Sequence, residues 1–371
     1  MREDVFYWLA LSLVPGIGSV FFNRLIERFE TPEAVFQAPE QDLQEVEGVP
    51  ERVVEEIRKG PFEKKVEREL YLLGKVNGTI VTLKDETYPK RLKSIYDPPP
   101  LLYLRGALRG DEDPAVAVVG SRRTSLYGRS VTERLCQDLV RHGVTIVSGL
   151  ARGIDTVAHT SALWVGGRTL GVLGCGVDVV YPRENRELFG EMIERGAILS
   201  ELPMRSPPEG SHFPKRNRII SGLSLGVVVV EAGKRSGALI TAACALEQGR
   251  DVFAVPGNVG AEGSRGTNQL IKQGAKLVES SEDILEEIMP QWHKEGKEPS
   301  EPEDPGRGLP EESRRLYTLL KDMPLHIDTI IRESQLDAGR VSSLLLDLEL
   351  KGLIVQLPGK CFSRKWSPGD R

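Results

Sequence analysis

Cysteine is scarce in this sequence, aromatic residues are few, and long apolar runs are missing. The four cysteines (Cys136, Cys175, Cys244, Cys361) lie far apart, with no Cys-x-x-Cys and no histidine at ligand spacing. This pattern excludes a structural zinc site and a disulfide framework, and it fits a reducing cytoplasm. No apolar stretch approaches the roughly 20 residues that a bilayer-spanning helix needs. The start, Met1-Arg-Glu-Asp-Val-Phe-Tyr-Trp8, has acids where a secretory leader carries basic residues. Gly-x-x-x-x-Gly-Lys-Ser/Thr is absent, which removes the Walker-type ATP site, and Gly171-Val-Leu-Gly-Cys-Gly176 has the wrong spacing for a dinucleotide fingerprint. No Ser/His/Asp set can be assembled, so the expectation is no catalytic residue, no cofactor and no metal: a binding protein and not an enzyme.

What is present is a chain of 371 residues, enough for two or three domains. Its net charge of −5 is unevenly spread. Residues 1–75 hold 10 basic and 15 acidic side chains, residues 76–290 hold 26 and 25, and residues 291–371 hold 13 and 14. The central part is neutral only as an average, and for binding the local field counts more than the total. Residues 1–75 read as short helices around two turns, Pro15-Gly-Ile-Gly18 and Val46-Glu-Gly-Val-Pro50, like tandem helix-hairpin-helix units. An acidic domain repels phosphate, so these glycines are read as tight turns and not as DNA contacts. Residues 291–310 lose periodicity and are rich in Pro, Glu and Gly, as a linker is. Residues 311–371 read as a winged helix, with a third helix over 337–351 followed by a β ending around Pro358-Gly-Lys360.

The central segment, 76–290, alternates apolar strands with helical stretches. Thr79-Ile-Val-Thr-Leu83 and the run 98–105 lead into it. Ala115-Val-Ala-Val-Val119, Val144-Thr-Ile-Val147, Thr169-Leu-Gly-Val-Leu173, Ala197-Ile-Leu199, Gly226-Val-Val-Val-Val230, Asp251-Val-Phe-Ala-Val255 and Lys276-Leu-Val278 are the strands. Continuous Val/Ile/Leu runs mark strands covered on both faces, so the fold class is α/β, a Rossmann-like, doubly wound and mostly parallel sheet. Ligands of such sheets gather at the C-terminal strand ends. The turns found there are Gly120-Ser-Arg-Arg123, Ser148-Gly-Leu-Ala-Arg-Gly-Ile-Asp155, Gly174-Cys-Gly-Val-Asp178, Glu231-Ala-Gly-Lys-Arg-Ser-Gly237 and Pro256-Gly-Asn258. Glycine permits a sharp turn and close approach, and the helix start that follows favours an anion. Several such turns on one edge, some with Arg or Lys, make a phosphate-binding rim.

The segment Phe213-Pro-Lys-Arg-Asn-Arg-Ile-Ile220 places three cations within four residues beside an aromatic. That combination suits a single-stranded chain offering phosphates and bases together. Phe213 either stacks on a base or packs as a plug, while Ile219, Ile220 and Leu223 point to a helix docked on the sheet. Asp155 and His159, four apart on one helix face, have acid–base spacing, but Asp155 sits in a first turn where a carboxylate stabilises the helix dipole. The structural role is preferred.

Gly120-Ser-Arg122, Ser148-Gly-Leu-Ala-Arg-Gly-Ile-Asp155, Phe213-Pro-Lys-Arg-Asn-Arg-Ile-Ile-Ser-Gly-Leu-Ser224, Ser236-Gly-Ala-Leu-Ile-Thr-Ala242, Pro256-Gly-Asn258 and Gly266-Thr-Asn268 together resemble, in order, the motif series of the bacterial DNA-processing protein A (DprA/Smf) family. The ordered likeness covers about residues 80–290, and the flanking helical and winged-helix parts are similar to those of longer members. The resemblance implies a protein of natural transformation that binds and protects incoming single-stranded DNA and helps load the RecA recombinase onto it. It implies a DNA site made of Gly120, Ser121, Arg122, Phe213, Lys215, Arg216, Asn217 and Arg218, with Ser236, Gly237, Thr267 and Asn268. It also implies a homodimer through the central domain, between Asn268 and Ile284, where Leu270, Ile271, Leu277 and Ile284 offer apolar contacts. The alternative is a nucleoside monophosphate hydrolase of a related Rossmann-like fold. Such enzymes carry Pro-Gly-Gly-x-Gly-Thr-x-x-Glu where this chain reads Ser236-Gly-Ala-Leu-Ile-Thr-Ala-Ala243, with no glutamate. A regulator reading DNA through the third helix of the winged helix is disfavoured, because that helix has few cations, Arg340 and Lys351, against three acids, Asp337, Asp347 and Glu349.

Overall fold

The computed structural model describes residues 3–110, 112, 114–289, 309–320, 325–357 and 359–364. Nearly all of the expected linker, and Pro358 of the expected turn, lie outside the described residues. The chain forms two compact units, Met1–Pro290 and Gln291–Arg371.

The first unit begins with six helices: α1 (Glu3–Ser12), α2 (Ser19–Phe29), α3 (Pro32–Gln37), α4 (Glu40–Gln44), α5 (Glu51–Arg58) and α6 (Glu63–Lys75). The two glycine turns separate α1 from α2 and α4 from α5. Both carry a glycine with positive φ, Gly16 at 90° and Gly48 at 76°, a conformation that a β-carbon opposes. The helices close on Trp8, Leu9, Phe22, Leu25 and Val53, with Trp8 stacked on Phe22 at 5.2 Å. Their core continues into Leu101 and Tyr103 of the sheet and Met204 beyond it, so helices and sheet are bound by shared apolar surface.

The sheet contains β1 (Thr79–Thr82), β2 (Leu101–Gly106), β3 (Ala115–Val119), β4 (Thr145–Ser148), β5 (Thr169–Val172), β6 (Ala197–Ser200), β7 (Gly226–Val229), β8 (Asp251–Ala254) and β9 (Lys276–Leu277). Its order is β1-β2-β6-β5-β4-β3-β7-β8-β9. The pairs from β6 across to β9 are parallel, whereas β2 joins β6, and β1 joins β2, antiparallel. The helices between strands are α7 (Lys90–Lys93), α8 (Leu126–Arg141), α9 (Ile154–Trp164), α10 (Arg186–Arg195), α11 (His212–Gly222), α12 (Gly237–Glu247) and α13 (Arg265–Lys272), and α14 (Glu282–Ile288) follows β9. Alternation along the strands sends Ala117, Val119, Val227 and Val229 into one core with Ile219 and Ile220 of α11 and Ala238 and Ala242 of α12. Helices α9 and α10 contact the sheet through a separate core that includes Leu163, Met192 and Ile198. Strand order reverses at β3: β4, β5 and β6 follow on one side, β7, β8 and β9 on the other. The crevice between the β3 and β7 ends is therefore the topological switch point.

The second unit contains α15 (Glu311–Leu319), β10 (Leu325–His326), α16 (Ile327–Ser334), α17 (Ala338–Leu350), β11 (Ile354–Leu357) and β12 (Cys361–Arg364). The sheet order β10-β12-β11 behind three helices is a winged helix. Asp337 caps α17 by accepting from the Arg340 backbone N–H at 2.9 Å. Among the described residues no helix is long and apolar enough to cross a membrane.

Candidate nucleic-acid interface

At the switch point lies an open cleft of about 970 Å³. Most of its lining comes from three segments: the β3 turn with Gly120, Ser121 and Arg122, the first half of α11 with Phe213, Arg216 and Asn217, and the β7–α12 turn with Lys234, Arg235, Ser236 and Gly237. The β3 turn lies directly on the start of α9, where the Ile154 N–H donates to the Ser121 carbonyl at 3.1 Å. Gly153, at φ 78°, is required there, since a β-carbon would sit 2.2 Å from the same oxygen. Ser121 closes its own turn, accepting from the Arg123 N–H at 3.1 Å and donating to the Arg123 carbonyl at 2.9 Å. Behind the turn Glu231 accepts from the Ser125 N–H at 2.9 Å and the Thr124 hydroxyl at 3.1 Å, anchoring it to β7. Ser236 caps α12 by accepting from the Ala238 N–H at 3.3 Å.

The basic segment is the first two turns of α11, and its three cations have three different fates. Lys215 is exposed and is not among the residues that line the cleft. Arg216 is buried, at 4% exposure, beneath the cleft floor. Its guanidinium donates to the carbonyls of Gly149 and Val172, which ties α11 to the ends of β4 and β5. Burial lowers its pKa to about 10, which leaves it charged at neutral pH. Arg218 pairs with Asp97 and Glu201, each at 2.6 Å. The expectation of three cations displayed together is therefore corrected: a helix turns each residue by about 100°, and tertiary partners take two of the three.

Phe213 is neither a plug nor a bare platform. It is half-buried, with its ring close enough to Gly174 that a β-carbon there would come within 2.9 Å. Its other neighbours are Tyr181, at 5.7 Å between centroids, and the guanidinium groups of Arg122 and Arg216, 5.4 and 5.8 Å from the ring. Tyr181 also lines the cleft and is 37% exposed, giving two aromatic rings beside a cation. Asn217 holds the two helices together, its side-chain amide donating to the Gly237 carbonyl at 3.3 Å.

Thr267 and Asn268 do not line the cleft. Thr267 is buried and donates to the Ser264 carbonyl, and Asn268 exchanges two hydrogen bonds with the Gly257 backbone at 2.9 and 3.2 Å. These residues tie α13 to the turn after β8. Three residues outside the site that the resemblance implies also line the cleft: Lys234, Arg235 and Tyr181. The first two stood in a turn already recognised as part of the rim, whereas Tyr181 has no local signal. No described residue forms an ion pair with Arg122, Lys234 or Arg235, although the exposed carboxylate of Glu262 lines the same cleft.

Under the floor, Asp155 accepts from the N–H groups of Gly149 and Ala151 at 3.2 and 3.3 Å. Burial drives its carboxyl up to about 6 despite the nearby Arg216 charge. His159 is fully buried, and its Nδ1 meets the Thr169 hydroxyl at 2.6 Å. Since that hydroxyl donates to the Ile146 carbonyl, Nδ1 carries the proton. Burial, then the Arg216 charge, hold His159 down to about 3. Asp155 thus serves the turn after β4 and His159 the start of β5, and the two share no hydrogen bond. Among the described residues no group of three His, Cys, Asp or Glu side chains could hold a metal ion.

Residues 79–289 match the family described as DNA recombination-mediator protein A, and residues 300–360 match the DprA winged helix domain. The chain belongs to the DNA recombination-mediator protein A family. Protein Smf of Synechocystis is 37% identical over 97% of this chain and 98% of its own. The crystal structure of DNA processing protein A from Streptococcus pneumoniae superposes with a TM-score of 0.69 at 38% identity, covering 76% of this chain and 97% of that one. DNA processing protein A from Helicobacter pylori, whose structure concerns a single-stranded DNA binding mode, gives 0.52 at 30% identity over 58% of this chain and 98% of that one. Family membership accounts for the central sheet and the winged helix alike.

Proposed function

We propose that this chain binds single-stranded DNA across the switch-point cleft and acts as a non-catalytic mediator in natural transformation, protecting the strand and helping RecA load onto it in the cytoplasm. The observation that carries the DNA reading is Arg122, Lys234 and Arg235, without ion-pair partners among the described residues, around the paired rings of Phe213 and Tyr181. Cations that track a backbone next to aromatic faces are what a sequence-tolerant single-strand site needs. Gly120, Ser121, Ser236 and Gly237 bring backbone to the same rim, and Lys215, in the first turn of α11, meets the strand as it leaves. Arg216 and Asn217 support the floor, while Thr267 and Asn268 shape the turn after β8.

The nucleoside monophosphate hydrolase reading has less support, because α12 opens with no glutamate and Glu231 is engaged by Ser125 and Thr124. For the homodimer, Leu270 and Ile284 are buried in the chain's own core, which leaves the partly buried Ile271 and Leu277, 41% exposed, as the apolar contacts of the four. Binding to labelled oligo-dT and to duplex of equal length across a salt series tests the main reading. A preference for the single strand with a steep salt dependence is expected. Equal affinity for both, or release of free base from nucleoside monophosphates, overturns it. RecA filament formation on oligo-dT coated with a single-strand-binding protein, with and without this chain, tests the loading role.

A further inference from the structure

We infer that Arg218 is a positioning residue, a clamp that sets the cleft helix α11 against the N-terminal helices, and not a phosphate contact. Its Nε donates to Asp97 at 2.6 Å, Nη2 donates to Glu201 at 2.6 Å and to the Ser19 hydroxyl at 3.4 Å, and Nη1 donates to Glu201 at 3.3 Å. The side chain is 13% exposed. Two carboxylates surround one guanidinium, so the group as a whole carries excess negative charge and repels a phosphate.

The contacts continue in both directions from this point. Asp97 opens the stiff run Asp97-Pro-Pro-Pro100, in which the Pro98 carbonyl accepts from Asn23 of α2 at 3.0 Å and the Pro99 carbonyl accepts from the Tyr88 hydroxyl at 2.8 Å. Helix α2 therefore reaches the clamp twice, through Ser19 and through Asn23. On the other side, the Arg218 carbonyl accepts from Gln248 at the end of α12 at 3.0 Å, and Gln248 in turn accepts from Ser221 at 2.7 Å. The neighbouring residues in sequence are Asn217, bound to the start of α12, and Arg216 under the floor. Displacing α11 at Arg218 moves the residues that shape the cleft. This gives the N-terminal helices, which are acidic and contribute no residue to the cleft lining, a part in binding: they hold α11 in place.

The inference rests on the single-strand DNA reading, and two measurements on the full chain separate the two. Hydrogen exchange of R218Q without DNA should be faster in α2 and α11 than in the parent. Oligo-dT affinity of R218Q should fall about 3- to 30-fold, as for a residue that acts without touching the ligand. The dependence on salt should stay parallel to the parent's, because no phosphate contact is lost. D97N/R218Q/E201Q, which removes the stranded carboxylates, should regain both protection and affinity. Unchanged exchange in α2 and α11 of R218Q overturns the clamp. So does a log–log salt slope lowered by about 0.7, the loss expected of one phosphate contact on a single strand. A parent protein that ignores oligo-dT overturns the DNA reading, while hydrogen exchange still decides the clamp.

Discussion

The cleft rim and the third helix of the winged helix both carry cations, yet they present very different surfaces. At the rim, Arg122, Lys234 and Arg235 have no ion-pair partner among the described residues. On α17, Arg340 bonds Glu312, with its Nε at 2.8 Å, and Lys351 bonds Asp347 at 2.7 Å. Helix α17 also exposes Leu346 and Leu350, at 57% and 79%. A phosphate backbone binds where releasing its counterions is not offset by breaking existing ion pairs, which favours the rim. The contrast teaches that a count of Lys and Arg measures potential partners of phosphate, and that the neighbours of each cation decide whether it is available.

The largest test of this contrast removes the free cations. R122Q/K234Q/R235Q should weaken oligo-dT binding by at least about 100-fold and lower the log–log salt slope by about two. An unchanged slope in a salt titration breaks the assignment of the rim. Next comes the aromatic face: F213A should cost about 1–3 kcal/mol of single-strand affinity with the slope intact, while F213Y retains most of it. Equal losses of slope and affinity in F213A would mean that the ring acts only by holding Arg122.

Two buried side chains beneath the cleft make folding stability depend on pH. His159 has a folded pKa near 3, below its usual 6.5, so the unfolded chain binds its proton more readily and stability falls as pH drops from about 6.5. Asp155, raised to about 6, has the opposite sign: its contribution weakens as pH rises from about 4 to 6. Between pH 4 and 6 the two offset each other. Denaturant melts of H159Q should therefore gain on the parent as pH falls, by about 1.4 kcal/mol per unit. A pH-independent difference would show that His159 is hydrated in the folded state. The smallest effect is expected on α17, where R340Q/K351Q should change oligo-dT affinity less than twofold and stability by at most about 1 kcal/mol. A lowered salt slope in that variant would erase the contrast with the rim.

Much of the sheet was legible because β3 and β7 are runs of Val and Ala closed by glycine turns, a pattern that few other folds accommodate. The antiparallel pairing of β2 with β6 was not, since Leu101–Gly106 reads the same whichever partner it meets. The rim was half legible. Arg122 and the turn holding Lys234 and Arg235 follow from strand ends, but Tyr181 lies in the connection between β5 and α10, and only tertiary packing sets it beside Phe213. Leu270 and Ile284 had the right character for a dimer contact, and the same character suits the core that buries them.

The basic segment of α11 divides these two kinds of information most clearly. The residues alone determined a helix docked by Ile219 and Ile220, with positive charge near the C-terminal edge of a parallel sheet. Only the tertiary structure decided that Lys215 stays in water, that Arg216 supports the floor, and that Arg218 faces Asp97 and Glu201. Helical periodicity and apolar spacing are local and can be read along the chain. The partner of a charge is chosen by residues up to 121 positions away, as Asp97 is from Arg218, and no local pattern encodes that choice.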